Sequence, residues 1–358
     1  MSAGTLRVID TGSRHGRFNI ALDQALIEAH RDGTTPDSLR FLEFSPSALV
    51  GRHQDLSNEL DLEFCREHDI DIGRRITGGG AIYLDQHQLG WELICSRRAF
   101  GDADLGTIAA TICRAAADAL SSLGVDARYR PRNDIEVDGR KISGTGGFYD
   151  GDTLFYQGTL IMELDSDLMF GALNVPQGKR DKHDLGSAAA RVTSLAACAR
   201  SVPDRASVKR ALTASFETML NFNAAADELS AGELSLAQSI YDDEIGTPAF
   251  VHDIDGVSAE GSWSQAELTT PGGTIEATVS LAPSGIRRMA QIYLSGDFFI
   301  TPPRIIYDLE SRLRDVPTTE IAEVVRGFFS SRPVDLMSLS VEDFVTVIER
   351  AIAMQDPA

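Results

Sequence analysis

The sequence predicts an α+β protein in two units, and three observations carry that expectation. A chain of 358 residues exceeds what one hydrophobic core usually organises. Across the first two thirds, short β-prone runs are interleaved with helical periodicities. An acidic, weakly patterned segment from Ala224 to Asp255 then reads as a boundary with one short helix inside it. Beyond it the pattern restarts as strands followed by helices, which sets the expected units at 1–246 and 257–358.

Phe18 to His30 places Phe18, Leu22, Ala25, Leu26 and Ala29 three and four apart, the stripe of an amphipathic helix. Leu39 to Phe44 and Ala48 to Gly51 read as strands separated by the turn Ser45-Pro46-Ser47, and Asn58 to His68 reads as one helix. Ile70 to Ile72, Ala81 to Leu84 and Leu89 to Ser96 are short strands. Thr107 to Leu123 is a helix with Ile108, Ile112, Ala115, Ala116, Ala119 and Leu120 on one face and Gly124 at its end. Ile135 to Val137 and Arg140 to Ser143 form a hairpin through Asp138-Gly139, and Thr153 to Leu164 is a strand. Asn174 to Ala190 is polar and charged and reads as a mobile loop. Ser207 to Phe222 is a helix. The final unit opens with strands at Gly261–Thr269, Thr274–Leu281 and Gly285–Leu294 and closes with two or three helices.

Composition narrows the function classes. The hydrophobic share of 43% and charged share of 24% are those of an ordinary globular protein. No run approaches the roughly 18 apolar residues of a membrane span, and the start lacks the basic-then-apolar order of a secretion signal, so a cytoplasmic protein without a membrane partner is expected. Cys65, Cys95, Cys113 and Cys198 are widely spaced and suggest neither a disulfide framework nor a zinc site. A formal charge of -20 argues against a nucleic-acid surface. Only four of the 33 basic residues are lysine, and Lys141, Lys179 and Lys182 fall close together.

Two glycine-rich stretches carry the chemistry. Arg74-Arg75-Ile76-Thr77-Gly78-Gly79-Gly80-Ala81-Ile82-Tyr83 fits a tight turn that needs positive φ, and equally a backbone pressed against a ligand. The second follows Arg132-Asn133-Asp134 and the Asp138-Gly139 turn as Gly144-Thr145-Gly146-Gly147. The hairpin would bring Asp134 close to Lys141. That pair is either a surface ion pair or part of a site. Between two glycine-rich backbones a lysine suits an anionic ligand, because an ammonium can sit between a carboxylate and an α-phosphate and favour their reaction. Asp134 and Asn133 offer oxygen ligands of the kind magnesium takes. Neither stretch has the spacing of a Walker loop or a dinucleotide fingerprint.

In this order, Arg74-Arg75 with Thr77-Gly78-Gly79-Gly80-Ala81 and Tyr83, Arg132-Asn133-Asp134-Ile135, Gly139-Arg140-Lys141-Ile142-Ser143-Gly144, Gln157-Gly158-Thr159-Leu160 and Arg191-Val192-Thr193-Ser194-Leu195 resemble lipoate-protein ligases. Leu49-Val50-Gly51-Arg52-His53-Gln54 belongs to the same resemblance, and Gly296-Asp297-Phe298-Phe299 resembles the signature of the accessory C-terminal domain many such ligases carry. The resemblance implies the mixed sheet flanked by helices shared by biotin ligases and class II aminoacyl-tRNA synthetases, with a small α+β accessory domain. It also implies activation of lipoate or octanoate with ATP and Mg2+ to an acyl-adenylate. The acyl group then passes to a lysine of an apo lipoyl carrier domain, as in 2-oxoacid dehydrogenase E2, the glycine cleavage H protein or a related lipoate-binding protein.

By position, the resemblance implies that Arg75, Gly78, Gly79 and Gly80 line the acyl and carboxylate end, and that Lys141 contacts the carboxyl and α-phosphate oxygens. Ala81, Tyr83, Asn133, Asp134, Ser143, Gly144, Gln157, Gly158 and Thr159 fall in the same site, with Asp134 on the metal. The loop Gly178 to Leu185, with Gly178, Lys179 and Lys182, would fold over the adenylate and exclude water. This chain has Leu84-Asp85 where the family usually has His-Asp, and Gln157 where it usually has His.

Two other activities remain open on the sequence. An octanoyltransferase would work through a cysteine thioester without ATP, and Cys198 is its candidate nucleophile, in the apolar context Leu195-Ala196-Ala197-Cys198-Ala199. A binding homologue without catalysis is the second. For an acidic carrier, Arg128, Arg130, Arg132 and the Lys179 loop are expected to form a local basic face.

Overall fold

The computed structural model describes residues 4–174, 190–255, 262–282 and 287–355. Its first unit is built on an eight-stranded mixed sheet in the order β11-β1-β2-β6-β10-β9-β8-β7. The strands are β1 (Gly4–Arg14), β2 (Ser38–Phe44), β6 (Gln88–Ser96), β7 (Ala127–Arg130), β8 (Asp134–Val137), β9 (Arg140–Asp150), β10 (Thr153–Ile161) and β11 (Phe222–Asp227). β1 runs parallel to β2 and β11; the other neighbours are antiparallel. A second sheet, β4-β3-β5, joins β3 (Ser47–Val50), β4 (Asp71–Arg74) and β5 (Ile82–Leu84).

Alternation along the strands divides the core between two faces. On one face Phe41, Trp91, Leu93, Leu154, Tyr156 and Leu160 pack against helices Leu105–Ser122 and Arg205–Leu220. On the other, Leu42, Ile94, Phe148 and Phe155 pack against helix Gly16–Arg31, itself covered by helix Ala231–Ile240. Local chemistry sets the helix starts. Asp104 accepts from Thr107 N at 2.7 Å, Asp204 from Ser207 N at 2.7 Å, and Ser230 with Glu233 forms a capping box.

Several elements depart from the sequence expectation. The helix expected over Asn58 to His68 is two helices, Leu56–Glu59 and Leu62–Glu67. Leu60 is extended at φ -120°, where it bridges Leu173, and Asp61 caps the second helix by accepting from Phe64 N at 2.9 Å. The strand expected over Arg140 to Ser143 continues through Gly144 to Gly147 to Asp150 as β9, with these glycines paired throughout with β10. Gly147 is required there, because a Cβ would lie 2.2 Å from Phe155 O. The segment 224–255 carries more than one short helix: β11 extends the main sheet beside β1, and helix Ala231–Ile240 closes over helix Gly16–Arg31. Glu233 on that helix is buried and accepts from Arg7 Nη1 at 2.8 Å and Thr35 Oγ1 at 2.7 Å. Burial opposes its charge, but these donors and Ser230 prevail and hold its pKa down to about 2.

The last core gathers around β12 (Trp263–Thr270), β13 (Gly273–Leu281) and β14 (Met289–Gly296), an antiparallel sheet backed by helices Ile305–Leu313, Ile321–Ser330 and Val341–Ala353. A two-stranded ribbon, β15 (Ile300–Thr301) and β16 (Asp335–Leu336), completes this unit. Among the described residues no helix is long and apolar enough to cross a membrane.

Candidate functional site

Two rows of side chains cross the main sheet on the face toward helix Gly16–Arg31. In one, Arg40, Glu92, Gln157 and Gly146 stand side by side; in the next, Leu42, Gly90, Thr159, Gly144 and Asp134. Three of these nine positions are glycine, which lowers the floor where the rows meet the β4–β5 connection. The cavity left between them measures about 410 Å³. Ile20, Leu42, Phe44 and Leu49 close one end, and Asn133, Asp134 and Lys141 form the other.

The polar end follows from the hairpin. Asp138 and Gly139 both have positive φ, 50° and 74°, the two-residue turn that β8 and β9 require. The turn pairs Lys141 with Glu136, and a bulge between Ile135 and Glu136 then shifts the register, so that Asp134 pairs with Gly144 and not with Ser143. The lysine side chain runs forward over Gly144, where a Cβ would sit 2.8 Å from Nζ, and reaches Asp134 Oδ1 at 2.7 Å. Gly144 therefore serves as the track for Lys141. On the far edge, Lys141 N donates to Arg191 O and Thr193 N donates to Lys141 O, both at 2.8 Å, fixing the lysine backbone between two segments. Asn133 is held by its side-chain donation to Thr145 O and by Thr145 Oγ1 donating to Asn133 O at 2.8 Å.

The glycine triplet forms the opposite wall, with the positive φ of a tight turn and a close neighbour from the chain itself. Gly79 has φ +91°, and the triplet is pressed closely by a neighbour. That neighbour is the segment Gly296 to Phe299. A Cβ on Gly78 would lie 2.1 Å from Phe298 O, one on Gly79 2.7 Å from the Phe299 ring, and one on Gly146 2.5 Å from the same ring. Gly79 N donates to Phe298 O at 3.2 Å. Phe299 and Asp297 thus become part of the cavity wall. We expect Gly78→Ala to separate the two units locally, because the obstruction is backbone and cannot rotate away; limited proteolysis between 250 and 300 should accelerate several-fold, with a lower melting temperature. Unchanged proteolysis would mean that Phe298 is not seated on Gly78 in solution.

Arg75 lines the cavity and also braces the glycine loop. Its guanidinium is buried and donates to Leu49 O at 2.6 Å and Gly80 O at 2.7 Å, so it shapes the glycine loop from behind. Burial lowers its pKa to about 10. Arg74 does the same work one layer out, donating to Val251 O at 3.0 Å and Gln54 O at 2.5 Å. Gln157 Nε2 donates to Thr77 Oγ1 at 3.0 Å and ties the loop to the sheet floor. Tyr83 OH donates to Asp85 Oδ2 at 3.2 Å.

Of the residues expected in the site, Arg75, Gly78, Gly79, Gly80, Ala81, Tyr83, Asn133, Asp134, Lys141, Gly144, Gln157, Gly158 and Thr159 all line this cavity. Ser143 does not: it alternates with Gly144 and points to the opposite face, where it is buried. Gly178, Lys179 and Lys182 lie outside the described residues. The Lys179 part of the expected basic face also lies outside the described residues. Arg128 pairs with Asp126 at 3.2 Å, and Arg130 with Asp134 at 2.7 Å and Glu136 at 3.6 Å, so carboxylates offset these two arginines of the expected face. Sequence reasoning missed Glu92, Thr145, Asp297 and Phe299 as wall residues. Glu92 had a signal, a charged residue inside the apolar run Leu89–Ile94.

For a magnesium ion the donors fit only in part. Asp134 Oδ1 faces Lys141 and Oδ2 faces Arg130, whose side chain is half-exposed. Among the described residues no group of three or more His, Cys, Asp or Glu could hold a metal.

Residues 15–217 match the family described as lipoyl protein ligase A/B catalytic domain. Lipoate-protein ligase A subunit 1 of Thermoplasma acidophilum is 27% identical over 254 residues, 68% of this chain and 94% of that one. An octanoyltransferase, LipM of Moorella thermoacetica, is 30% identical over 201 residues, 49% of this chain and 72% of its own. Among solved structures, the bi-partite lipoate protein ligase of Thermoplasma acidophilum, studied with its E2 lipoyl domain, superposes with a TM-score of 0.62 at 25% identity, covering 70% of this chain and 97% of that one. A lipoate-protein ligase A bound with ATP gives 0.61 at 25%, covering 70% and 99%. LipL1 of P. falciparum in complex with lipoate shares the fold over 99% of this chain and 100% of its own, with a TM-score of 0.71 at 15% identity. The chain is an enzyme of the lipoate ligase and transferase group and belongs to the lipoyl protein ligase A/B catalytic-domain family.

Proposed function

We propose that this protein is an ATP-dependent lipoate-protein ligase, which activates lipoate or octanoate to the acyl-adenylate and transfers the acyl group to a lysine of an apo lipoyl carrier domain. The observation that carries this reading is a lysine, Lys141, at the polar end of the cavity, with no cysteine lining it. Burial raises the pKa of all four thiols. Cys113 lies beneath the floor against Thr145 at 3.2 Å and Tyr156 at 3.6 Å, and Cys198 packs at the edge of the core. A thioester route needs an accessible thiolate at the acyl carbon, and these positions do not supply one.

In the proposed reaction a carboxylate oxygen of the acid attacks the α-phosphorus of ATP and pyrophosphate leaves. The carrier lysine, as the free amine, then attacks the acyl carbon; AMP leaves and the amine proton is released. Lys141 would bridge the carboxylate and an α-phosphate oxygen, neutralising the repulsion between them and the charge that grows at phosphorus. Asp134 would hold the lysine side chain forward and contribute one oxygen to a magnesium ion, which supplies further charge neutralisation on the phosphates. Residues 1–246 would form the catalytic unit, and 257–358 an accessory unit whose Gly296–Phe299 segment closes the cavity. The likeness to an ATP-bound ligase supports the nucleotide, and the archaeal ligase with its E2 domain supports the carrier.

The test is carrier mass. Protein incubated with ATP, magnesium, octanoate or lipoate and an apo lipoyl domain should acylate the carrier, and omission of ATP should abolish it. Cys198→Ala should retain full activity. Acylation from octanoyl-acyl carrier protein without ATP, abolished in Cys198→Ala, would instead establish the thioester route.

A further inference from the structure

The closed end of the cavity is expected to be hydrocarbon in a site for a fatty acyl chain, and most of it is, with Ile20, Leu42 and Phe44 in the wall. Glu92 also lines it, 1% exposed. One carboxylate oxygen, Oε2, accepts from Arg40 Nη1 at 2.9 Å; the other, Oε1, is buried and meets no hydrogen-bond partner among the described residues. Arg40 Nη1 also donates to Asp23 Oδ1 at 2.6 Å, and Arg40 Nη2 to Asn19 Oδ1 at 2.5 Å. One guanidinium thus stands between two carboxyl groups, all three side chains no more than 1% exposed. Burial raises the pKa of both carboxyls, and the charge of Glu92 raises that of Asp23 further.

A buried carboxyl oxygen without a partner is costly, and a plain methyl end brought against it would leave it so. A hydroxyl or thiol at the end of the chain would satisfy it by donating a hydrogen bond. The distance also fits. Glu92 lies two strands and one side-chain repeat from Gly144, over which Lys141 Nζ sits, about 12 Å along the sheet, comparable to an extended medium-chain acid.

We propose that the closed end of the acyl pocket is a polar subsite, in which Glu92 Oε1 hydrogen-bonds the far end of the bound acid. The pocket then takes a medium-chain carboxylic acid bearing a hydrogen-bonding tail in preference to the bare hydrocarbon. Glu92 is the residue that sets this preference, and Arg40 and Asp23 are positioning residues that hold it in place. This rests on the cavity being the acyl site of the proposed ligase. A site built to hydrogen-bond a tail discriminates far more strongly than one that reads hydrocarbon length alone.

The experiment is calorimetric binding of octanoate, 8-hydroxyoctanoate and lipoate to the full-length protein, with Glu92→Leu and Glu92→Gln beside it. Both variants leave Arg40 paired with Asp23, so the charge balance is the same in each. The wild type should bind 8-hydroxyoctanoate at least about tenfold tighter than octanoate, a difference of about 1.4 kcal/mol. Glu92→Gln, whose amide still donates and accepts, should keep most of that preference, and Glu92→Leu should reverse it. Equal affinities for the two acids in the wild type, or a preference that survives Glu92→Leu, overturns the proposal. If Glu92→Leu fails to fold, the wild-type ratio and the Gln variant decide alone. A wild type that binds none of the three acids refutes the acyl-site reading itself, an outcome distinct from binding all three alike.

Discussion

Lys141→Ala is expected to lower kcat for carrier acylation by about 10²–10³-fold while leaving the fold intact. The two halves of that statement rest on different features. The lysine side chain is 38% exposed and its bond to Asp134 is a partly solvated ion pair, so its removal should cost at most about 1 kcal/mol of stability. At the same time Nζ is the lysine ammonium in the cavity, poised over Gly144 at the point where a carboxylate and a phosphate would meet. A single-turnover assay for acyl-adenylate should show the loss in the first step, and transfer from pre-formed adenylate should suffer less. Lys141→Arg should not rescue it, because the planar fork cannot lie along the glycine track that a linear side chain uses. A variant with unchanged adenylate formation would remove Lys141 from the chemistry.

Gly144→Ala provides the matching control. Its methyl would occupy the lysine track, with Lys141 Cε 2.9 Å and Nζ 2.8 Å from the new carbon. The side chain can move aside, so the fold should tolerate the change, and activity should fall with Lys141 still present. Loss of activity in both variants would locate the requirement in where the ammonium sits.

Much of this site was legible in the sequence, and the reasons differ by residue. The approach of Lys141 to Asp134 followed from a local rule, since Asp138-Gly139 fixes the hairpin and the hairpin fixes its neighbours. The bulge that changes the register was not legible, because nothing in the residues 135 and 136 announces it. The positive φ in the glycine triplet was legible, but what presses on it comes from residues 296–299, which only the folded chain brings near. Arg75 was expected to line the pocket from the resemblance alone; that burial directs its donors to the carbonyl groups of Leu49 and Gly80 was not legible. β11, Phe222–Asp227, was missed because its alanine-rich sequence has little intrinsic strand preference; pairing with β1 supplies what the residues lack. The acidic stretch that holds it resembled a linker by composition, and Glu233 within it meets Arg7 across 226 residues of sequence.

Arg40→Met should destabilise the protein by about 3–5 kcal/mol, the largest stability effect expected from a single side chain near the cavity. Arg40 is fully buried and its guanidinium is shared by Asp23, Glu92, Asn19 and Thr11. Methionine fills much of the space but leaves two carboxyl groups facing each other with no cation. Both are then driven toward the protonated form, with folded-state pKa values raised further than in the wild type. The native state of the variant therefore holds protons that the unfolded chain releases, so its stability is greatest below the ordinary carboxyl pKa and falls as pH rises. Denaturant unfolding should show the gap between variant and wild type widening from pH 5 to pH 8; a gap that narrows over that range would mean that the carboxyls are not buried together. The apolar triple variant Asp23→Leu, Arg40→Met and Glu92→Leu separates stability from recognition. Replacing a whole buried ionic group with hydrocarbon is often neutral or stabilising, so the triple variant should recover most of what Arg40→Met loses. If it does, stability is not what requires the trio, and the triple variant should bind octanoate better than 8-hydroxyoctanoate. Recovered stability with an unchanged order of affinities would instead leave the buried charges without a role in ligand choice.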